Sequence, residues 1–270
     1  MPDFNYVVMG NPISHSMSPT IQNLFAKSMG NQDICYGTLL VPEGKFTETA
    51  DAFFADKGCG CNITLPCKLD AFAYADKLTD YAKRAGAVNA LKKLPDGSVL
   101  GDNTDGRGFV ADLKRLGFSL KNERVLILGA GGAAKGIVFP ILEQQPECLT
   151  IVNRTPSKAS DIAKDYPGRI SVSTFEELTG SFDIIINATS ASISQKVPPV
   201  PKEAFANTVL AYDLMYSKDG QKTVFMQMAD SLGVKNTFDG WGMLIMQAAL
   251  SYELWHGIVP DVAEAFATLR

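Results

Sequence analysis

Short unbroken apolar runs alternate with amphipathic stretches along almost the whole chain, the pattern of parallel strands joined by helices. Tyr6–Met9 and Tyr36–Val41 read as strands, and Gly60–Thr64 as a third that Pro66 stops. Between them, Ser18 as N-cap and Pro19 at the first helical position predict a helix to about Met29. A second helix is expected near Lys45–Ala55 and a longer one over Ala71–Lys83. Val88–Lys93 and Ser98–Gly101 flank Pro95-Asp96-Gly97, a hairpin by turn chemistry. Asp105–Leu116 is amphipathic. From Val125 the strand–helix alternation resumes, with strands at Asp183–Asn187 and Thr208–Asp213. Pro198–Pro201 reads as a loop, Gly240–Trp255 as a long apolar helix and Pro260–Leu269 as a last one.

One strand–turn–helix segment carries a ligand signal. Val125-Leu126-Ile127-Leu128 runs into Gly129-Ala130-Gly131-Gly132-Ala133-Ala134. In a doubly wound sheet such a turn grips a dinucleotide pyrophosphate: Gly129 allows the tight turn, Gly131 lets backbone approach the phosphates, and the helix N-terminus offers unpaired N–H groups. Ala134 stands at the third glycine position, where close helix–strand packing tolerates alanine. The next strand, Ile151-Val152, ends in Asn153-Arg154-Thr155, with Lys158 one turn on. A cation there suits a ribose 2′-phosphate, whereas an acid would suit a free 2′-hydroxyl, so the expected cofactor is NADP(H). The plain alternatives are a βα turn without nucleotide and a solvated surface arginine.

Composition narrows the classes. With 270 residues, 46% hydrophobic and 20% charged, the chain has room for two modest domains. A net charge of −4 argues against a nucleic-acid partner. No run approaches a membrane span, and Met1-Pro2-Asp3-Phe4 has no basic leader, so a cytoplasmic protein is expected. Five cysteines (Cys35, Cys59, Cys61, Cys67, Cys148) include no Cys-x-x-Cys pair; reduced cysteines in small core spaces are expected, and no metal site.

A nicotinamide enzyme needs a group to move or stabilise a proton on the substrate oxygen. Lys68, just past the proline-terminated strand, and Asp105, at the junction into the nucleotide unit, are the candidates. Lysine supplies a cation and donor for a developing alkoxide, and a carboxylate holds it. Spacing alone leaves both open to being solvated loop charges.

Several ordered motifs then point one way. Gly10-Asn11-Pro12-Ile13-Ser14-His15-Ser16-Met17-Ser18-Pro19, Asn62-Ile63-Thr64-Leu65-Pro66-Cys67-Lys68, Gly86-Ala87-Val88-Asn89 and Gly101-Asp102-Asn103-Thr104-Asp105-Gly106 are followed by Asn153-Arg154-Thr155, Asn187-Ala188-Thr189-Ser190 and Asp239-Gly240-Trp241-Gly242-Met243-Leu244. Through these the chain resembles the shikimate dehydrogenase family over nearly its whole length.

The resemblance implies an α/β fold of two domains. One is a discontinuous N-terminal substrate domain (residues 1–104 plus 238–270), the other a Rossmann-type doubly wound NADP-binding domain (105–237), with the chemistry in a crevice between them. It implies reversible NADP-dependent reduction of 3-dehydroshikimate to shikimate, on the route to aromatic amino acids. Lys68 and Asp105 become the catalytic pair. Ser14 and Ser16 bind the substrate carboxylate, and Thr64, Asn89 and Gln247 hold ring hydroxyls, with Tyr216 and Gly240 lining the cleft. Gly129, Ala130, Gly131, Gly132, Ala133, Asn153, Arg154, Thr155, Lys158, Thr189, Met215 and Gly240 are the implied cofactor contacts. The only partner expected is the small-molecule substrate, on a monomer or homodimer. Departures from the family pattern are Gln22 in place of a frequent histidine, Lys158 in place of a frequent arginine, and Ser192 where glycine is common; strain is expected at Ser192 if that position needs positive φ. His15 is read as a loop-positioning residue and His256 as a packing or helix-dipole residue. Two other readings remain: a quinate/shikimate dehydrogenase that also takes NAD, and a non-catalytic NADP-sensing protein.

Overall fold

The computed structural model describes residues 4–270; Met1–Asp3, where the expectation about a leader begins, lie outside the described residues. The chain forms two compact units, Met1–Gly108 with Leu244–Leu269, and Phe109–Met243 with Arg270.

The first unit contains strands β1 (Tyr6–Gly10), β2 (Tyr36–Leu40), β3 (Gly60–Ile63), β4 (Lys77–Leu78), β5 (Ala90–Lys93) and β6 (Val99–Asp102), with helices α1 (Ser18–Ser28), α2 (Phe46–Ala55), α3 (Lys68–Tyr74), α4 (Asp80–Ala85) and the start of α5 (Asp105–Arg115). The sheet order is β2-β1-β3-β5-β6-β4. β1 is parallel to both β2 and β3, and β5 is antiparallel to β3 and β6. Alternation along the strands divides the core. Val7, Met9, Cys61, Ile63 and Leu91 share one hydrophobic cluster, while Tyr6, Val8 and Tyr36 pack with Trp255 in another.

The second unit contains β7 (Arg124–Leu128), α6 (Gly132–Glu143), β8 (Cys148–Val152), α7 (Pro156–Lys164), β9 (Ser171–Ser173), β10 (Ile184–Asn187), β11 (Leu210–Asp213), α8 (Val224–Ser231) and β12 (Thr237–Asp239). After it come α9 (Trp241–His256) and α10 (Ala263–Thr268), which packs on α1. The sheet is parallel throughout, in the order β12-β11-β10-β7-β8-β9. Read from its first strand, this is the doubly wound dinucleotide order, with the switch point between β7 and β10. Both faces are covered. Val125, Ile127 and Ile186 join one cluster, and Leu126, Leu128 and Ile185 the other, so these strands read as continuous apolar runs.

Several expectations are corrected. Ser18 is not the N-cap of α1: Met17 is, and the Ser16 hydroxyl accepts the Ser18 N–H at 3.2 Å. The helix expected over Ala71–Lys83 is two helices with β4 between them. Asp76 accepts the Val99 N–H at 2.8 Å, Lys77 and Leu78 pair with β6, and Thr79 caps α4 through the Ala82 N–H. The last helix starts at Ala263, not near Pro260. Cys61 and Cys67 are buried and reduced as expected, but Cys35 and Cys59 are exposed. The condition for strain at Ser192 is not met: it lies in a 3₁₀ turn, Ala191–Ser194, and is not among the described non-glycine residues with positive φ, Asn122, Gln145 and Gln195.

Candidate active site

In the first unit Ser14, Ser16, Thr64 and Lys68 follow the ends of the adjacent strands β1 and β3. β1 and β3 run side by side, so the loops after them meet: the Asn11 N–H donates to Leu65 O at 3.0 Å and the Thr64 N–H to Met9 O at 2.9 Å. The first loop carries Ser14 and Ser16; the second carries Thr64 and leads into α3 at Lys68. Gly10 must be glycine here, because a Cβ would lie 2.4 Å from the Thr64 methyl. The Ser14 and Thr64 hydroxyls make no hydrogen bond among the described residues, and Ser16, which only accepts, keeps its proton to donate.

Lys68 is held from behind, its carbonyl accepting the Val88 N–H at 3.0 Å. Its ammonium donates to Asp105 Oδ2 at 2.5 Å, and Asn89 Nδ2 donates to Asp105 Oδ1 at 2.8 Å. The same amide donates to Thr104 Oγ1 at 2.9 Å, while Asn89 Oδ1 accepts the Thr104 N–H at 2.8 Å. The Thr104 hydroxyl in turn donates to Gln247 O at 3.0 Å, and Gln247 Oε1 lies 3.4 Å from Asn89 Nδ2. Lys68, Asp105, Asn89 and Gln247 therefore form one continuous network, tied by a fully buried Thr104 that sequence reasoning did not single out. Its only signal was its place inside the Asn-Thr-Asp motif. The side chains of Lys68 and Asp105 stay 28% and 22% exposed, so the pair is both fixed and reachable.

Beneath it, Asn62 accepts the Tyr36 hydroxyl at 2.7 Å and donates to Ser251 Oγ at 2.9 Å. Gln22, the histidine replacement in α1, donates to Ala248 O at 2.9 Å. Both residues are buried scaffold.

The second unit holds the remaining candidates at its switch point. Gly129 has φ +102°, and a Cβ there would meet the Thr189 methyl at 2.9 Å, so glycine is needed for both conformation and space. A Cβ on Gly131 or Gly132 would meet nothing within 4 Å. Helix α6 has Gly131 as N-cap, no side-chain cap and no acid in its first turn, which leaves N–H groups facing open space. Gly129, Ala130, Gly131, Asn153, Arg154, Thr155 and Lys158 line one groove there. α7, capped at Thr155, likewise lacks a side-chain cap and an early acid. Arg154 and Lys158 form no salt bridge among the described residues. Sequence reasoning missed Lys135, which lines the adjoining groove with Lys158 and Asp161. Its signal was its i+4 spacing from Gly131 on α6. These residues fit a dinucleotide carrying an extra phosphate: backbone donors for a diphosphate and uncompensated cations beside the ribose end.

Thr189 and Met215 sit on the loops after β10 and β11. Gly240 accommodates the neighbouring backbone, since a Cβ would lie 2.2 Å from Leu214 O, and its N–H donates to Met215 O at 3.0 Å. Tyr216, implied as a substrate contact, belongs to this second unit and packs edge-on to Trp241 with centroids 5.5 Å apart. Among the described residues no group of three or more His, Cys, Asp or Glu side chains is arranged to hold a metal ion, and no helix is long and apolar enough to cross a membrane.

Comparison with known proteins agrees with both halves. Residues 8–91 match the shikimate dehydrogenase substrate binding domain, 112–207 the shikimate/quinate 5-dehydrogenase domain and 240–266 the shikimate 5′-dehydrogenase C-terminal domain. A shikimate dehydrogenase (NADP(+)) of Cellvibrio japonicus is 47% identical over 98% of this chain and 96% of its own. The chain belongs to the shikimate dehydrogenase family. Among solved structures of similar fold, an Ael1 enzyme from Pseudomonas putida has a TM-score of 0.94 at 39% identity, covering 98% of each chain. The shikimate 5-dehydrogenase of Thermus thermophilus, solved in complex with NADP(H) and shikimate, has a TM-score of 0.85 at 31% identity, over 96% of this chain and 95% of that one. Membership of the shikimate dehydrogenase family accounts for the two-domain α/β architecture with a Rossmann-type unit.

Proposed function

We propose that this protein is an NADP-dependent shikimate dehydrogenase that interconverts 3-dehydroshikimate and shikimate. The observation that carries the reading is the Lys68–Asp105 pair, 2.5 Å apart within a network of neutral amides and hydroxyls. When bound, NADPH supplies the hydride. Lys68 Nζ donates a hydrogen bond and then its proton to the substrate carbonyl oxygen as that oxygen gains charge, leaving a neutral amine that is reprotonated from solvent. Asp105 holds the ammonium and stabilises its charge. Asn89, fixed by Thr104, fixes Asp105. Ser14 and Ser16 offer hydroxyl donors to the substrate carboxylate, while Thr64, Asn89 and Gln247 serve the ring hydroxyls. A pocket made of such groups rejects substrates that leave them unpaired. Arg154 and Lys158 hold the 2′-phosphate, the α6 N-terminus the diphosphate, and Thr189, Met215, Tyr216 and Gly240 complete the site.

The first unit is thus the substrate domain and the second the cofactor domain. The protein works in the cytoplasm as a monomer or homodimer. Steady-state assays with shikimate and quinate, each with NADP+ and NAD+, test the reading. Turnover of shikimate with NADP+ well above the other three combinations is expected. Preferential turnover of quinate, or NADPH binding without turnover, would replace it.

A further inference from the structure

We propose that Asp213 is a positioning residue of the cofactor site, its carboxylate locking the loop after β10 to the loop after β11, with Ser192 as the peg that closes the lock. The inference rests on the reading above that Thr189 and Met215 touch the cofactor.

Asp213 ends β11 and stands in register with Asn187, the last residue of β10. Its carboxylate is fully buried and takes four donors. Oδ1 accepts Asn187 Nδ2 at 3.0 Å and the Met215 N–H at 3.1 Å; Oδ2 accepts the Ser192 and Thr223 hydroxyls, each at 2.7 Å. Asn187 passes the constraint on, its Oδ1 accepting the Thr189 hydroxyl at 2.7 Å and the Thr189 N–H at 3.1 Å. An unbroken chain of bonds thus runs from Met215 through Asp213 and Asn187 to Thr189, and the Thr189 methyl faces the space that Gly129 leaves open.

No cation pairs with Asp213 among the described residues, and burial pushes its carboxyl above the usual range. A buried carboxylate held only by neutral donors is a poor device for stability, since apolar residues of like volume do as well or better. A carboxylate does offer what an amide of the same size cannot: acceptor sites for four donors at once from three different segments. Asparagine at this position would present an N–H to at least one donor. The Ser192 hydroxyl is spent entirely inside this cluster, on the third residue beyond Thr189.

The test is fluorescence titration of NADPH into wild type, Asp213→Asn, Ser192→Ala and Thr223→Val, with KM for each substrate and Tm measured alongside. Thr223 caps α8 at the far end of the loop after β11, away from Met215 and from the loop that carries Thr189, so its removal reports the structural cost of one bond to Asp213. The expected result is NADPH binding weakened about five-fold or more in Asp213→Asn and Ser192→Ala, with KM for shikimate unchanged. Thr223→Val should lower Tm while keeping NADPH affinity. Wild-type affinity in Ser192→Ala, or equal weakening in Thr223→Val, would overturn the inference, and Ser192→Ala carries the test if Asp213→Asn fails to fold. A wild type that binds no NADPH would instead overturn the proposed function.

Discussion

Lys68 and Asp105 each open a helix, α3 and α5, and their charged ends meet at 2.5 Å. The two placements differ in electrostatic sense. A carboxylate at a helix N-terminus is favoured by the macrodipole, while an ammonium there is opposed by it. Asp105 offsets that opposition and is itself held by Asn89. Because both side chains keep some exposure, the pair adds no more than about 1 kcal/mol to stability. Stability alone therefore gives little reason for its geometry.

Asn89 is where structure and site join. Asn89→Leu strips partners from the buried Thr104 N–H and from Asp105 Oδ1. We expect unfolding free energy to fall by about 1–3 kcal/mol in denaturant melts, together with a rise in KM for shikimate. Unchanged stability would mean that water replaces the amide.

Arg154 is exposed and makes no salt bridge among the described residues, so removing it disturbs nothing but the groove. Arg154→Leu should raise KM for NADP+ about ten-fold or more and leave KM for NAD+ within about two-fold. Equal loss with both cofactors would place the arginine at the diphosphate instead.

His256 ends α9 against the rings of Tyr6 and Tyr252, with centroids 5.1 and 4.3 Å away. Burial, aided by the nearby Lys92 ammonium, holds its imidazole below the ordinary value, and Nε2 has no partner among the described residues. The folded state therefore keeps His256 neutral after the unfolded chain has taken up a proton. Stability from this residue is intact above about pH 6.5 and is lost as pH falls through that value. His256→Phe should flatten the decline in Tm between about pH 7 and pH 5; an identical decline in both proteins would assign it elsewhere. A neutral ring also leaves no role for His256 as a helix-dipole cation.

Much of this was legible because the strands of the second unit are apolar on both faces, and because glycine turns and a basic strand end carry their own chemistry. On spacing alone Lys68 and Asp105 stood out only as isolated charges, and the ordered motifs were what paired them, since the contact joining them spans 37 residues of sequence and depends on the sheet register. The break at Ala75–Thr79 was hidden: its helical pattern yields to a two-residue strand pairing with β6 and to the Thr79 cap, both tertiary effects. Ser192 shows the same limit: its φ is not positive, so the condition set for strain is not met. Its hydroxyl satisfies a buried carboxylate from the next strand, which no local pattern reveals.

The most direct test of the central claim is the kcat of Lys68→Ala for shikimate oxidation by NADP+, followed as NADPH absorbance, with shikimate binding measured separately by calorimetry. The account predicts a fall of about a thousand-fold in kcat with shikimate affinity nearly unchanged. A kcat near that of wild type would remove Lys68 from the chemical step and contradict it.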